Sequence, residues 1–322
     1  MGMRLFGEHP WLIPAAIFLG FGVLSSSDAA ATTFKEVAAD TSRETDPAPS
    51  PDGKWIAFTS DRGGHGSSQI YIMPAEGGEP RQLTDEPDSV RAGTPSWAPD
   101  GKSILFVSTR GKRYNVYSIP LEGGEAKQLT HAPGSHRFGT YSADGKRIAF
   151  YSNRVRPGEL YGFNIFVMGA EGETEDDLAQ QVTDSKGSPG HPIYKVPSRG
   201  GKEIRLTKGL INGQPFEDTW PSWSPDGKWI AFGRQLGPKR DVWIMEVSSG
   251  KTFPLTTTGN CIKPTWAWDS KSIYYSLVNE KNEDIWVAND LTLKPPATDP
   301  TRPRRSRAGS PVRKSAARRT QR

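Results

Sequence analysis

Apolar residues along the chain fall into short runs rich in β-branched and aromatic side chains, each closed by a turn of Gly, Asp or Pro and followed by a second run. This is the pattern of β-hairpins. The phrase SPDGKWIAF stands at 50–58 and again, letter for letter, at 224–232, with the variants APDGKSILF (98–106), SADGKRIAF (142–150) and AWDSKSIYY (267–275). A second phrase follows the first three copies: IYIMPAEGGEPRQLT (70–84), VYSIPLEGGEAKQLT (116–130) and the longer IFVMGAEGETEDDLAQQVT (165–183). It returns as IYKVPSRGGKEIRLT (193–207) and VWIMEVSSGKTFPLT (242–256), and a last copy opens as IWVAND (285–290). The repeating unit is therefore two hairpins, or four strands, over about 43 residues, the period of propeller-type repeats. A four-stranded blade cannot bury both faces alone and does so against its neighbours around a ring. In the SPDG turn, Gly accepts a positive φ and Asp bonds the turn backbone, so the role of the phrase is structural.

The marker residues Asp52, Asp100, Asp144, Asp226 and Asp269 stand 48, 44, 82 and 43 residues apart. Inside the near-doubled interval, Thr183 and Thr207 close successive second phrases with no SPDG between them. The expected fold is an all-β, six-bladed β-propeller with blade four reduced to the hairpin around Ile193–Thr207. The alternative is five blades with an inserted hairpin. The last blade lacks a clear outer strand after Asp290, and Phe34 to Ala38 is expected to pair there, tying the two ends of the chain together and removing an edge.

These phrases, with PSWAPDG (95–101) and PSWSPDG (221–227), resemble the WD-like repeat of the TolB propeller family. The resemblance runs from about Phe34 to Lys294 and does not extend to the amino-terminal α/β domain of that family. It implies an exported propeller of the bacterial envelope that binds protein or peptide partners. Similar blades also occur in peptidase propellers and in some pectin-degrading lyases, so the repeat specifies fold more than function.

Composition adds the ends of the chain. An apolar run from Trp11 to Leu24, followed by Ala29-Ala30-Ala31, reads as a cleaved signal peptide over 1–31, short of the roughly 20 residues that cross a bilayer. The propeller is expected over 32–294, in a periplasmic or secreted protein with no transmembrane segment after cleavage. The net charge of +5 is concentrated in 295–322, which holds nine Lys or Arg and one acid. With Val312 its only branched aliphatic, that tail is expected to be disordered. It suits contact with an anionic surface, and export disfavours nucleic acid as the partner. The lone Cys261 forms no intramolecular disulfide and carries no reactive-site signature.

No H-E-x-x-H, G-x-S-x-G, EF-hand or phosphate-binding glycine motif is present. His65, His131, His136 and His191 are scattered, and no metal, cofactor or catalytic set is expected. Binding is instead expected at the loops that lead into the innermost strands, since they ring one mouth of the channel. Aligned on the repeat, these loops offer Arg43, Glu44 and Asp46, then Arg91, then His136 and Arg137. Later copies offer Glu217, Asp218 and Trp220, and then Asn260 and Lys263. Such positions vary while the strands stay uniform, as a heterogeneous binding rim would. A second reading assigns His136, Arg137, Glu217 and Asp218 to acid/base or binding work on acidic glycans.

Overall fold

In the computed structural model the described residues are 32–38, 42–63, 66–154, 164–173, 193–195, 204–207, 216–280 and 282–293, with the short pieces 180–181, 210–211 and 214–215. The expected signal peptide and basic tail lie outside them. All regular structure among these residues is β, and no helix is long and apolar enough to cross a membrane.

Five four-stranded antiparallel sheets form the blades. Blade A is β2 (Glu44–Pro49), β3 (Trp55–Ser60), β4 (Gln69–Pro74) and β5 (Arg81–Gln82). Blade B is β6 (Ala92–Trp97), β7 (Ser103–Ser108), β8 (Asn115–Pro120) and β9 (Lys127–Gln128). Blade C is β10 (His136–Tyr141), β11 (Arg147–Ser152), β12 (Asn164–Gly169) and β13 (Gln180–Gln181). Two hairpins follow, β14 (Tyr194–Lys195) with β15 (Ile204–Arg205), and β16 (Leu210–Ile211) with β17 (Gln214–Pro215). Blade D is β18 (Glu217–Trp223), β19 (Trp229–Leu236), β20 (Lys239–Glu246) and β21 (Thr252–Pro254). Blade E is β22 (Cys261–Trp266), β23 (Ile273–Val278) and β24 (Glu283–Asn289), completed by β1 (Thr33–Ala38) from the other end of the chain.

The expected six blades are thus corrected to five, in line with the alternative of a five-bladed propeller carrying an inserted hairpin. The physical reason lies in the sector between blades C and D. There the β14–β15 hairpin closes as other outer hairpins do, yet among the described residues no SPDG-type inner pair completes it into a four-stranded sheet.

Local chemistry explains the repeated phrases. In the SPDG turns Gly53 and Gly227 both sit at φ 71°. Ser50 Oγ donates to Asp52 Oδ1 at 2.6 Å, which also accepts the Lys54 amide, while the Trp55 amide returns to Ser50 Oγ. Blade D repeats the set through Ser224, Asp226, Lys228 and Trp229. The threonine that ends each second phrase is a clasp between the two outer strands. Thr84, Thr130 and Thr256 accept the amides of Ile70, Val116 and Val242 at 2.9 to 3.0 Å. Thr207 does the same for Ile193, which marks β14–β15 as an outer hairpin of the same kind.

Burial follows the two-residue period of strands. On β3, Ile56 and Phe58 pack against blade E while Ala57 packs against blade B. Blade B supplies Trp97, Ile104, Phe106 and Tyr117 to the A/B interface, and Trp97 Nε1 donates to the Ala48 carbonyl at 2.8 Å. Closure by β1 is as the sequence suggested: Phe34, Lys35, Glu36 and Ala38 pair with Ala288, Val287, Trp286 and Ile285, and Val37 and Ala38 join the E/A core.

Candidate functional site

The innermost strands β2, β6, β10, β18 and β22 are the first strands of their sheets, and they pack side by side in the order β10, β6, β2, β22, β18. Each carries a break in register shortly after its start. At that break one residue adopts a left-handed conformation: Asp46, Thr94, Phe138, Trp220 and Lys263, with φ between 51° and 56°. None is glycine, and four of the five precede proline. Bulges re-aim side chains, and left-handed non-glycine residues cluster where structure is held for function. One backbone device therefore sets five different side chains at the same position of the five innermost strands.

Two of these side chains are joined across a blade boundary. Lys263 Nζ lies 3.0 Å from Asp46 Oδ1 and donates to Thr45 Oγ1 at 2.6 Å, bridging blades E and A. Trp220 carries the Arg240 guanidinium 5.0 Å above its ring, and Arg240 also lies 3.9 Å from Glu217. Phe138 is 46% exposed and sits 6.5 Å from the Tyr151 ring. Thr94 takes the same position in blade B, its amide donating to Thr59 Oγ1. Thr94 and Phe138 were absent from the residues singled out by sequence. The available signal was the x-Pro step at Thr94-Pro95, aligned with Asp46-Pro47, Trp220-Pro221 and Lys263-Pro264.

The remaining expected rim residues divide by burial. Arg91 is exposed, and its backbone is held by Thr109. Asn260 is exposed and bridges to Arg240. Arg137 stacks at 4.0 Å over Tyr114. Arg43 is exposed, donates to Glu283 at 2.8 Å and is held above its ordinary pKa chiefly by that bond.

Glu44, Asp218 and His136, by contrast, are buried and face partners within the fold. Glu44 pairs with Arg62, and Asp218 takes both arms of Arg234 at 2.7 and 2.9 Å. These pairs belong to a repeated slot in which an arginine lies over aromatic rings of the second and third strands of its blade. Arg62 covers Phe58 and Tyr71, Arg110 covers Phe106 and Tyr117, Arg154 covers Phe150 and Phe166, and Arg234 covers Phe232 and Trp243. Glu44 and Asp218 hold the same place, two residues before the left-handed residue of their innermost strand, whereas Glu86 serves Arg110 and Glu173 serves Arg154 from other positions. A shared cation–π seat with an interchangeable acid is a structural device.

His136 is fully buried, edge-on to Phe150. Because the Ala132 carbonyl only accepts, Nε2 carries the proton and donates to it at 2.8 Å, leaving Nδ1 to accept from Ser152 Oγ at 2.8 Å. Burial depresses its pKa below 6.5. The unfolded chain then binds more protons below that value, so this contribution is intact above about pH 6.5 and is lost as pH falls through the unfolded value. Denaturant midpoints measured from pH 7.5 to 5 are expected to fall in the parent and to fall less in His136→Gln. The carboxylates held low by Ser50, Ser142 and Ser224, namely Asp52, Asp144 and Asp226, act in a separate window below about pH 4. Equal slopes in parent and variant would contradict a neutral buried His136.

Among the described residues no group of three His, Cys, Asp or Glu is placed to hold a metal ion. Cys261 is buried beside Thr258, and burial raises its pKa, the opposite of an activated thiol.

Residues 65–190 match the TolB beta propeller domain. The chain is 35% identical over 119 residues to a TolB homolog of Chlorobaculum tepidum, covering 34% of this chain and 27% of that protein. It is 28% identical over 163 residues to dipeptidyl-peptidase 5 of Porphyromonas gingivalis, covering 48% of this chain and 19% of that one. The chain thus spans less than a third of the length of either relative. Among solved structures, an oligogalacturonate lyase of Vibrio parahaemolyticus superposes with a TM-score of 0.51 at 10% identity, over 82% of this chain and 98% of that one, a likeness of fold alone. The repeat phrases, the five-bladed sheet arrangement and the matched segment lead to one assignment: this chain is a TolB-like β-propeller.

Proposed function

We propose that the protein is an exported, non-catalytic scaffold that binds a protein or peptide of the cell envelope at the channel mouth. The observation that carries this reading is the set of five left-handed bulge residues, uniform in backbone and different in every side chain. A purely structural position repeated five times has reason to converge on one residue type. These positions instead offer an acid, a hydroxyl, two aromatics and a lysine. Exposed Arg43 and Arg91 extend the surface outward, and Phe138 and Trp220 supply the aromatic anchors typical of binding hot spots. Likeness to TolB homologs supports an envelope role, and the proposal includes export and contact of the basic segment 295–322 with anionic surfaces.

The glycan-acting alternative has less support. Of its four residues, His136 and Asp218 are buried and engaged by Ser152, the Ala132 carbonyl and Arg234.

Affinity capture from a cell-envelope extract tests the proposal. The parent chain is expected to retain a discrete protein. A variant carrying Arg43→Glu, Arg91→Glu and Arg137→Glu is expected to retain at least about tenfold less, the usual consequence of losing hot-spot contacts. Equal capture by both forms would count against the mouth as the site.

A further inference from the structure

We propose that the blade B corner of the channel mouth engages an acidic segment of the protein partner through Arg91, Lys112 and Arg113. The inference rests on the reading of the mouth given above and names the chemistry of what binds there.

Elsewhere on this side of the propeller, cations are matched within the fold. Arg43 faces Glu283, Arg110 faces Glu86 and Lys263 faces Asp46. The arginines of the cation–π slots are matched in the same way, by Glu44, Glu173 and Asp218. Arg91, Lys112 and Arg113 differ. All three are exposed, and among the described residues none of them forms an ion pair.

Two loops bring the three together. Arg91 ends the loop entering β6, while Lys112 and Arg113 lie in the turn between β7 and β8. Ala92 pairs with Ser108 and Ser108 with Asn115, so both loops leave the same end of the blade. Reciprocal bonds stitch them, the Arg91 amide donating to Thr109 Oγ1 at 3.0 Å and the Thr109 amide to the Arg91 carbonyl at 3.1 Å. The Lys112 amide then closes back on the Thr109 carbonyl at 2.9 Å. Lys112 itself sits at φ 66°, a left-handed conformation that glycine takes at lower cost, yet a cationic side chain stands there. Arg137 borders the corner from blade C, its guanidinium 4.0 Å over the Tyr114 ring.

The entry loop holds three carboxylates. Glu86 is committed to Arg110 and Asp88 has a partner of its own, which leaves Asp85 against the three unmatched cations. The surplus is positive, and it complements an acidic stretch of chain. Arg91 and Arg113 offer planar forks that take carboxylates in paired hydrogen bonds, and Lys112 adds a point charge. Thr94, the left-handed residue of blade B, stands three residues beyond Arg91 on the same strand. Continuity with the mouth thus favours a segment of the partner bound there over a separate anion.

The test is carbodiimide coupling of the purified full chain to an acetylated, amidated hexapeptide of alternating Glu and Asp, with the modified lysines mapped by mass spectrometry. Lys112 is expected to carry at least about ten times the adduct of Lys102, an exposed lysine on the turn side of the same blade. Arg91→Gln combined with Arg113→Gln should lower the Lys112 adduct at least about fivefold and leave Lys102 unchanged. Circular dichroism establishes that the double variant is folded, and adduct on Lys314 reports the basic tail separately. Equal adduct on Lys112 and Lys102, or a Lys112 adduct indifferent to the double substitution, would overturn the proposal. So would phosphatidylglycerol vesicles that shield Lys112 from acetylation where the peptide does not, which would assign the corner to a lipid surface. No envelope extract enters this experiment, so its failure removes the acidic assignment and leaves binding at the mouth to be judged by capture.

Discussion

Asp218→Ala is expected to lower the stability of the propeller by about 3–5 kcal/mol, the usual cost of leaving one member of a buried ion pair uncompensated. Asp218 and Arg234 are almost completely shielded, and the guanidinium lies within 5 Å of the rings of Phe216, Phe232 and Trp243. Removing the acid leaves a cation that has neither water nor counter-ion. The loss should come from that stranded charge more than from the missing bonds. A double variant with Arg234→Met puts a flexible thioether over the same rings and should recover much of the stability. Equilibrium denaturation of the parent, the single and the double variant decides the matter. A single-variant loss below about 1 kcal/mol, or a double variant less stable than the single, would contradict the description of the slot.

Deleting residues 33–38 is expected to cost at least about 3 kcal/mol, combining the burial of Val37 and Ala38 with the loss of the β1–β24 ladder. The strand also covers Ile56, Tyr71 and Met73 at the E/A boundary and joins the two ends of the propeller. Its removal exposes an edge of β24, so the truncated chain should also self-associate more readily. Urea unfolding and sedimentation of the two forms would show both effects. An unchanged midpoint would mean that β1 is ornamental to closure.

Much of this architecture was legible in the sequence because propeller blades repeat their local chemistry. Asp-Gly turns, alternating strands and Leu-Thr clasps each follow from short-range rules, and the β1 closure follows from counting strands in the last repeat. The blade count was not fixed by these signals. The C–D interval has the Thr207 clasp of an outer hairpin without an inner phrase, and sequence alone fits either a reduced blade or an insertion. At the site, alignment on proline found Asp46, Trp220 and Lys263 but passed over Thr94 and Phe138. Blade C hides the signal, because Gly139 replaces the proline where a Cβ would come within 2.8 Å of Val116. The burial of Glu44, His136 and Asp218 was illegible for another reason. Their partners Arg62, Ser152 and Arg234 lie 16 to 18 residues away along the chain, and nothing in the spacing distinguishes a paired acid from a free one.

The central claim is that the bulge residues at the channel mouth meet a partner. A photoreactive amino acid placed at 94, 138 or 268 in separate full-length proteins, irradiated in an envelope fraction, tests it most directly. Positions 94 and 138 should give the same discrete protein adduct, and position 268, on the turn side, should give none. Adducts of equal yield at all three positions, or at 268 alone, would contradict the account.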